Sequence, residues 1–486
     1  MTEPNILLII TDQQRTDTLG FMGRTPCQTP NIDRLAAEGV SFDHNMTTSP
    51  LCTPARASMF TGQYPHQVNM MRNNISLRAA PTLTNRLKTR GYHTAYAGKW
   101  HLDAQVPPYL PKGASRGNKR EPDEPALPNW FDRHAGQETK EYSEWCKRNG
   151  LPDGWAFNDP AMRTQRTPSM SIPRTAVLDM EPNQTIDGWI TDHAVRLFEE
   201  RPRDRPFFLV CGYQGPHPPF KIPEPYYSMY DPQDIPEPPN FRPSTHKPRA
   251  NTTSFYHQLW LDHGQEWEAW QKSIAVYWGF VTLIDDQIGR LLSVLEDEGM
   301  LDDTLIIFTS DHGEMLGQHG LWHKMVPYDE AIRVPLVMRY PRRIAAGVRS
   351  QAVTSVIDIA PTILSVIGEQ IPEEMVGKDL APAFEDGAEF QSDPFRFAEH
   401  KPLGEWHGAA EWRLVTNNRF KYVWNQGDLD ELYDLLADPY ETLNLIDRAH
   451  MQPIIAEYGS QLRSWMEKTS DPLLASYDTE TGTASD

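Results

Sequence analysis

Cys52 lies in a segment that could activate it as a nucleophile. Residues 49–62 read Ser-Pro-Leu-Cys-Thr-Pro-Ala-Arg-Ala-Ser-Met-Phe-Thr-Gly. We predict that Thr53 caps a helix that has Pro54 at its first position and ends at Gly62. Cys52 would then lie just before a helix N-terminus, where backbone N–H groups and the helix dipole stabilise an anion. Arg56, one turn further on, would add a positive charge beneath the same point, and these conditions activate a nucleophile.

Other chemically capable side chains follow predicted strands. Residues 6–10 form a continuous apolar run, typical of a strand buried on both faces. In open α/β sheets, ligands bind at the carboxyl ends of the strands, so residues at several strand ends are expected to converge. The residues at such ends, with a lysine further along, are Asp12, Gln13, Lys99, His101, His217, Asp311, His312 and Lys324.

The converging residues offer two kinds of chemistry. Carboxylates and an amide oxygen suit calcium or magnesium, and an imidazole among them keeps manganese or another transition ion open. The remaining lysines, histidines and arginine suit a tetrahedral oxyanion with developing charge. Taken singly, each residue also has a plain structural interpretation. Cys52 could be a small buried hydrophobe, Asp12 a turn cap, Lys99 a solvated charge, and His101 or His217 a hydrogen-bonded loop residue.

The elements that must position these residues alternate between strand and helix, which predicts a parallel sheet with helices on both faces. Strands are expected at 6–10, 40–44, 92–97, 206–213, 304–309 and 335–338. Helices are expected at 29–39, 81–91, 186–200, 264–298 and 358–367. The alternation fails at about 103–185 and 221–250, which we interpret as long insertions near the mouth of the site, where specificity usually resides.

The pattern changes after about residue 375. Residues 412–416 and 420–424 predict an antiparallel hairpin with a turn at Asn417-Asn418, followed by a short strand at 431–434 and a terminal helix at 458–468. The chain of 486 residues is too long for one ordinary core. We therefore predict a catalytic domain at 1–375 and a smaller α+β domain at 376–486.

Composition limits the partners. The formal net charge of −20 argues against nucleic acid and means that a local cluster of cations must attract any anionic substrate. The four cysteines fit neither a zinc site nor a dense disulfide framework. The N-terminus lacks the features of a signal peptide, and no run approaches the roughly 18 apolar residues of a membrane span. We expect a cytoplasmic protein without membrane contact.

The order Cys-x-Pro-x-Arg, followed at once by Ala-Ser-Met-Phe-Thr-Gly, resembles the signature of the sulfatase family, whose motif cysteine is oxidised to formylglycine after translation. The resemblance extends over residues 5–14, 29–39, 98–101, 216–217, 310–313 and the C-terminal hairpin. It implies an alkaline-phosphatase-like α/β fold, with a large mixed or parallel sheet flanked by helices and a smaller C-terminal domain on a short antiparallel sheet. It also implies maturation by a formylglycine-generating enzyme.

The resemblance further implies a sulfuric ester hydrolase and a role for each residue of the predicted site. One hydroxyl of the hydrated aldehyde would attack sulfur and expel the alcohol, and the other would let sulfate leave. Arg56 would steady the modified Cys52, Lys99 and Lys324 would bind sulfate oxygens, His101 would take a proton from the covalent intermediate, and His217 would contact the substrate and assist the leaving alcohol. One divalent metal, with calcium preferred and magnesium or manganese as alternatives, would be held by Asp12, Gln13, Cys52, Asp311 and His312.

Two positions depart from the commonest pattern of that family. Gln13 stands where many members have a second aspartate, and His312 stands where many have asparagine. Asp311-His312 is also similar to the phosphonate monoester hydrolases of the superfamily, but those enzymes lack the Lys-x-His pair that this chain has at 99–101. A sulfate monoester is therefore the preferred substrate, and a phosphonate monoester or phosphodiester is the alternative.

Further alternatives come from other functional classes. A non-catalytic sulfate-binding or glycan-binding protein would not need so many proton-transfer groups, and a thiol hydrolase would leave Asp12 and Asp311 without a role. Aryl, carbohydrate, choline-like and alkyl sulfates are all open, as is a homo-oligomeric state. Trp100 and Trp322 could stack on a sugar or aryl ring or pack in the core.

Overall fold

The large sheet is organised around β1, a strand of seven buried residues. The computed structural model describes residues 3–77, 81–102, 131–135, 139–154, 175–244, 246–263, 265–385, 394–402 and 411–482. Within these ranges the strands are β1 (Asn5–Thr11), β2 (Val40–Met46), β3 (His93–Gly98), β4 (Arg133–Ala135), β5 (Thr175–Val177), β6 (Phe207–Gly212), β7 (Phe220–Ile222), β8 (Thr304–Ser310), β9 (Leu336–Arg339), β10 (Val348–Ser355), β11 (Arg396–His400), β12 (Trp412–Thr416), β13 (Phe420–Asn425) and β14 (Glu431–Asp434).

The α-helices of the same ranges cover both faces of this sheet and one face of a smaller one. They are α1 (Pro30–Ala37), α2 (Cys52–Thr61), α3 (Leu83–Thr89), α4 (Thr139–Asn149), α5 (Ile186–Glu199), α6 (Arg249–Thr253), α7 (Phe255–His263), α8 (Trp267–Asp297), α9 (Asp329–Ile332), α10 (Ile359–Val366), α11 (Gln452–Lys468) and α12 (Leu474–Thr481). Of the described helices, none combines the length and the apolar character that crossing a membrane requires.

The strand order is β10-β2-β9-β8-β1-β6-β3-β4, and the predicted α/β fold is confirmed. Every neighbouring pair is parallel except those of β9, which runs antiparallel to both β2 and β8. Alternate residues of β1 enter different cores, because successive side chains of a strand point to opposite faces. Leu7 and Ile9 pack with α1, α5 and α8, whereas Ile6, Leu8 and Ile10 pack with α2, α3 and α10.

The register of the sheet brings the ends of distant strands together. Thr11 of β1 pairs with Ser310 of β8, so Asp12 and Asp311 emerge side by side. Gly98 ends β3 with a φ of 89° opposite Gly212, where a side chain would collide with the Gly212 carbonyl oxygen. The carboxyl ends of β1, β3, β6 and β8 therefore open on one edge, as the sequence predicts.

The C-terminal sheet is antiparallel, in the order β11-β12-β13-β14, which confirms the predicted hairpin and short strand. The prediction of one terminal helix at 458–468 is wrong in extent, because α11 begins at Gln452 and α12 follows it. The last strand of the large sheet ends at Ser355 and the first strand of the small sheet begins at Arg396. The domain boundary at 375/376 itself stays a prediction.

The two predicted insertions contain more regular structure than expected. Much of 103–185 lies outside the described residues, but β4, α4 and β5 within it are described. The stretch 221–250 includes the end of β7 and the start of α6. Short strands and helices of this kind give too few periodic residues for a sequence pattern to show them.

Candidate active site

Cys52 is the first residue of α2 and is buried. The prediction that Thr53 caps this helix is wrong, because the capping position is Leu51 and the Thr53 hydroxyl donates to the carbonyl of His101 (2.8 Å). The Thr53 N–H is bound instead by Asn73 Oδ1 at 3.0 Å. The helix ends at Gly62, as predicted, in a left-handed conformation with φ 63°. Cys52 therefore lies at the N-terminal end of the helix dipole.

Carboxylates and an imidazole from the ends of β1 and β8 surround the Cys52 thiol. Its Sγ lies 3.2 Å from His312 Nε2 and 3.9 Å from Asp12 Oδ1. One ligand atom from each of Asp12, Cys52, Asp311 and His312 lies within 4.8 Å of the others. His312 Nδ1 is 3.0 Å from the carbonyl of Gly313, so Nδ1 carries the ring proton and donates a hydrogen bond to that carbonyl. The Nε2 lone pair is then directed at the group, as a metal-binding histidine requires.

Arg56 supplies positive charge beneath this group, as predicted. It is fully buried, its Nε donates to Asp311 Oδ2 (2.9 Å), and its Nη1 donates to the carbonyl of Lys99 (2.7 Å). Burial alone would raise the pKa of the Asp311 carboxyl, but positive charges, from His312 when that ring is protonated and from the Arg56 guanidinium at every pH, hold this pKa well below its usual range. Asp311 is therefore ionised at neutral pH.

Lys99 and Lys324 bring two ammonium groups to the same place. Lys99 Nζ contacts Asp12 Oδ2, and burial lowers the pKa of Lys99 to about 7. Lys324 Nζ lies 3.5 Å from Cys52 Sγ and donates to Gln13 Oε1 at 2.6 Å. Both lysines are thus placed to attract an anion to the Cys52 side chain.

The two predicted proton-transfer histidines border the group. His101 has a φ of 57°, and its buried Nδ1 has no hydrogen-bond partner within the described part of the chain. Burial, helped by Lys99 and Arg56, lowers the pKa of His101 well below its ordinary value. Burial also lowers the pKa of His217, whose Nδ1 lies 2.7 Å from the carbonyl of Pro218. Both imidazoles are neutral at pH 7.

Gln13, which the sequence predicts as a metal ligand, presents its backbone and side chain to different neighbours. Its N–H donates to Asp311 Oδ1 (3.1 Å), and its backbone has a φ of 68°. Its amide oxygen accepts from Lys324, while its amide nitrogen contacts Glu314 and lies 3.2 Å from His323 Nδ1. Ligation by Gln13 stays a prediction.

Comparison with known proteins decides the family. The sulfatase family model matches residues 4–369, and the model of the C-terminal part of N-sulphoglucosamine sulphohydrolase matches residues 317–468. The uncharacterized sulfatase YidJ of Escherichia coli K12 is 32% identical over 97% of this chain and 89% of its own length. The chain belongs to the sulfatase family.

Two further similarities place this sulfatase within a superfamily. The multifunctional alkaline phosphatase superfamily protein PehA of Trinickia caryophylli is 31% identical over 98% of both chains. The crystal structure of the phosphonate monoester hydrolase of Agrobacterium radiobacter has a TM-score of 0.80, with 28% identity over 96% of both chains. The protein is a sulfuric ester hydrolase of the alkaline phosphatase superfamily.

Sequence reasoning missed three residues that shape the site of this sulfatase. Glu314 is buried and accepts the N–H groups of Leu316 (3.1 Å) and His323 (2.7 Å), and burial raises its pKa to about 7. Its place just after the Asp-His-Gly motif was a usable signal, as was the position of His323 beside Lys324. Asn73 gave no signal, because its contact with the start of α2 joins residues distant in sequence.

The two tryptophans beside the site of this sulfatase have different surroundings. Trp100 is 4% exposed and packs with Phe60, Tyr96 and Phe131 at centroid distances of 5.1 to 5.3 Å, so it is a core residue. Trp322 packs against the His323 ring, 4.1 Å from it, next to Lys324. Stacking of Trp322 on a substrate ring stays a prediction.

Proposed function

We propose that the protein hydrolyses a sulfate monoester by S–O cleavage through a formylglycine derived from Cys52, with one divalent metal. The observation that supports this most directly is the position of Cys52 Sγ, at a helix N-terminus and in contact with His312 and Lys324. A structural cysteine would not need two buried carboxylates, a guanidinium and two ammonium groups around it. The substrate is a small-molecule or carbohydrate sulfate ester.

The donor set fits a divalent metal. Asp12 and Asp311 supply carboxylate oxygens, and His312 presents an unprotonated Nε2 to them. Oxidation of Cys52 would replace a soft sulfur by oxygen, which suits calcium, magnesium or manganese better than a thiolate does. We propose calcium, with Gln13 as a further ligand. Bound there, the metal would supply positive charge that acidifies the nucleophilic hydroxyl and balances the charge on sulfate.

The protein's own charges stabilise the transition state. The hydrated aldehyde of a formylglycine at position 52 offers one hydroxyl to attack sulfur and a second that allows sulfate to leave. Arg56, held by Asp311 and the Lys99 carbonyl, fixes this side chain from beneath. Lys99 and Lys324 bind sulfate oxygens, where buried positive charge acts most strongly on the negative charge that develops.

The two histidines divide the proton transfers. His101 is neutral with an unpartnered Nδ1, so it can take the proton whose removal releases sulfate. His217 Nδ1–H donates a hydrogen bond to the Pro218 carbonyl, so the neutral ring has no proton on Nε2 and His217 can deliver one from Nε2 only as an imidazolium. A bound sulfate ester favours that charged form, and His217 then protonates the leaving alcohol.

A phosphonate monoester or phosphodiester is the second candidate substrate. His312 among the ligands and the structural similarity to a phosphonate monoester hydrolase favour it. Lys99 and His101 favour sulfate, because the resemblance to phosphonate monoester hydrolases does not include this Lys-x-His pair.

Two esters with the same leaving group separate these candidates. p-Nitrophenyl sulfate and p-nitrophenyl phenylphosphonate are both singly charged, so the ratio of their kcat/KM values isolates the preference for sulfur or phosphorus. We expect the sulfate to be the better substrate. A phosphonate preference, with sulfate hydrolysis at background, would make the second candidate the function.

Metal identity is tested separately by removal and return. Dialysis against a chelator should abolish hydrolysis, and calcium should restore it more fully than magnesium or manganese at equal free concentration. Full activity in the chelated protein, with no metal detected by elemental analysis, would contradict a metal role.

A further inference from the structure

The backbone on both sides of Lys324 is strained. His323 and Met325, its two neighbours, have φ values of 66° and 78°. Leu316 and His319 in the same segment also have positive φ. Such conformations are uncommon for residues other than glycine, and they persist only where surrounding contacts fix them. The direction of the Lys324 side chain therefore depends on the contacts that fix the backbone of residues 314–329.

Glu314 provides the contacts on the N-terminal side of Lys324. Its Oε1 accepts the N–H groups of Leu316 (3.1 Å) and His323 (2.7 Å). The N–H of Met315 donates to the carbonyl of His323 at 2.7 Å. These bonds close residues 314–323 into a loop and fix the residue before Lys324.

The small sheet provides the contacts on the C-terminal side. Three adjacent strands, β12, β13 and β14, each bind one residue of the segment 325–328 through a buried side chain. The bonds run from Trp412 Nε1 to the Met325 carbonyl (3.3 Å), from Lys421 Nζ to the Pro327 carbonyl (3.0 Å), and from Tyr328 Oη to Glu431 Oε2 (2.9 Å).

An ion cluster with a buried lysine and a buried glutamate strengthens the same attachment. Lys421 Nζ lies 2.5 Å from Asp329 Oδ1 and 2.7 Å from Glu441 Oε1. The Asp329 N–H also donates to Glu441 Oε2 at 2.7 Å. Because Lys421 and Glu441 are buried, movement of the segment away from the sheet would take one acceptor from the Lys421 ammonium group and the N–H partner from the Glu441 carboxyl.

We infer that the small C-terminal sheet positions Lys324 for the sulfate group, with Trp412 and Lys421 as positioning residues. This inference rests on the proposed function, in which Lys324 binds sulfate oxygens. The small sheet then contributes to the active site, because it fixes the strained backbone that directs the lysine.

One conservative variant and a matched control test this inference. Trp412→Phe keeps an aromatic ring but removes the N–H that binds Met325. Trp424→Phe removes a comparable bond, because Trp424 is equally buried in the same sheet and its Nε1 donates to Glu480 Oε2 at 3.2 Å, away from the segment. We expect Trp412→Phe to lower kcat/KM for p-nitrophenyl sulfate about 3- to 10-fold, and Trp424→Phe to change it by less than about twofold.

A double-mutant cycle distinguishes positioning from general destabilisation. In a Lys324→Met background no ammonium group remains to be directed, so Trp412→Phe should have no further effect on kcat/KM. An equal loss in both backgrounds, or an equal loss in the Trp424→Phe control, would overturn the inference.

Hydrogen exchange tests the same attachment without using activity. Backbone amides of residues 323–329 should exchange faster in Trp412→Phe than in the wild type or in Trp424→Phe. Equal exchange in all three proteins would overturn the inference. A different outcome separates the two proposals. If residues 323–329 exchange faster in Trp412→Phe but the wild type does not hydrolyse sulfate esters, the proposed function is wrong, whereas the attachment of this segment to the small sheet is confirmed.

Discussion

At the residue scale, the side chains closest to the Cys52 thiol are ionisable rather than apolar. Its Sγ is in contact with Lys324 and His312, and Asp12 and Asp311 complete the group. Burial raises the pKa of the unmodified thiol, so the thiolate is disfavoured where it stands. A thiol hydrolase would need a thiol with a lowered pKa. The raised pKa of Cys52 therefore favours a modified Cys52 as the nucleophile.

Replacement of Cys52 by alanine should abolish turnover while the fold survives. We expect Cys52→Ala to lower kcat for p-nitrophenyl sulfate by about 10³-fold or more, because it removes the nucleophile. The midpoint of thermal unfolding should change little, since only one atom is removed. Cys211→Ala, which truncates another buried cysteine in β6 outside the site, is the control and should keep its rate. Equal rates in the two variants would contradict this role for Cys52.

His101 should act after the alcohol has left. We expect His101→Ala to release about one p-nitrophenol per site rapidly and then to turn over slowly, because the proton acceptor of the second stage is missing. Stopped-flow absorbance measures the burst directly. The comparison variant is Lys99→Ala, which should raise KM and show no burst. A linear time course for His101→Ala at its full wild-type rate would remove His101 from the mechanism.

At the scale of elements, the long helix α8 holds the start of α1. Asp285, buried in α8, accepts the N–H groups of Asn31 and Ile32 at 2.9 Å each, at the N-terminus of α1. Thr29, which precedes α1 and which local sequence rules favour as its cap, makes no capping bond. Its hydroxyl instead bonds Asp33 and accepts the N–H of Gly20.

The loss of this tertiary cap should be costly. We expect Asp285→Ala to reduce the free energy of unfolding by about 1–3 kcal/mol, because two buried N–H groups lose their acceptor. Chemical denaturation measures the change, and Asp297→Ala, at the exposed end of the same helix, should change it by less than about 0.5 kcal/mol. Equal effects of the two substitutions would show that Asp285 does not cap α1.

The caps also show what a sequence can predict about these elements. Six strands of the large sheet were predictable, because each has an apolar run or a strand-like pattern after a helix that ends at glycine. The two edge strands, β4 and β10, were not predicted, because β4 has only three residues and β10 has no apolar run. The starts of α1 and α2 were predicted from local capping rules, but Asp285 and Asn73 supply the acceptors from far along the chain. The reversed direction of β9 had no signal, because a short apolar run has the same pattern in either direction.

At the scale of the whole molecule, a buried ionic cluster joins the loop after α2 to the small sheet. His66 Nδ1 lies 2.8 Å from Glu399 Oε2, and its Nε2 lies 3.2 Å from the Thr469 carbonyl. Both partners accept, so the imidazole is doubly protonated. Asp471 lies 3.9 Å from His66 and is bound by Arg413 at 2.6 Å.

This cluster should make stability depend on pH. Burial and Arg413 act to lower the pKa of His66, but Glu399 and Asp471 outweigh them and raise it above its ordinary value near 6.5. The stability that charged His66 contributes is therefore fully present below about pH 6.5 and is lost as the pH rises through the raised pKa. This contribution to the free energy of unfolding is about 1.4 kcal/mol for each unit by which the pKa of His66 in the folded chain exceeds that in the unfolded chain.

The comparison of wild type with His66→Gln isolates this group. Denaturation at several pH values should show a larger loss of unfolding free energy at about pH 6 than at about pH 9. Parallel pH profiles of the two proteins would contradict a charged His66 in the folded state.

The site as a whole was more predictable than its details. Strand ends and the Cys-x-Pro-x-Arg segment were enough to bring Asp12, Cys52, Asp311 and His312 into one group. The direction of the Gln13 side chain and the strained backbone around Lys324 were not predictable, because contacts with Glu314 and with the small sheet determine them. Such contacts join residues far apart in sequence, and no local pattern encodes them.

The presence of formylglycine at position 52 is tested most directly by the mass of the tryptic peptide that spans residues 35–56, because this peptide contains Cys52 and no other cysteine. On protein produced with a formylglycine-generating enzyme, we expect a peptide about 18 Da lighter than the cysteine form, and the fraction of peptide in this lighter form should rise in proportion to the specific activity of the preparation. An intact, alkylatable thiol in protein that hydrolyses sulfate esters at full rate would contradict it.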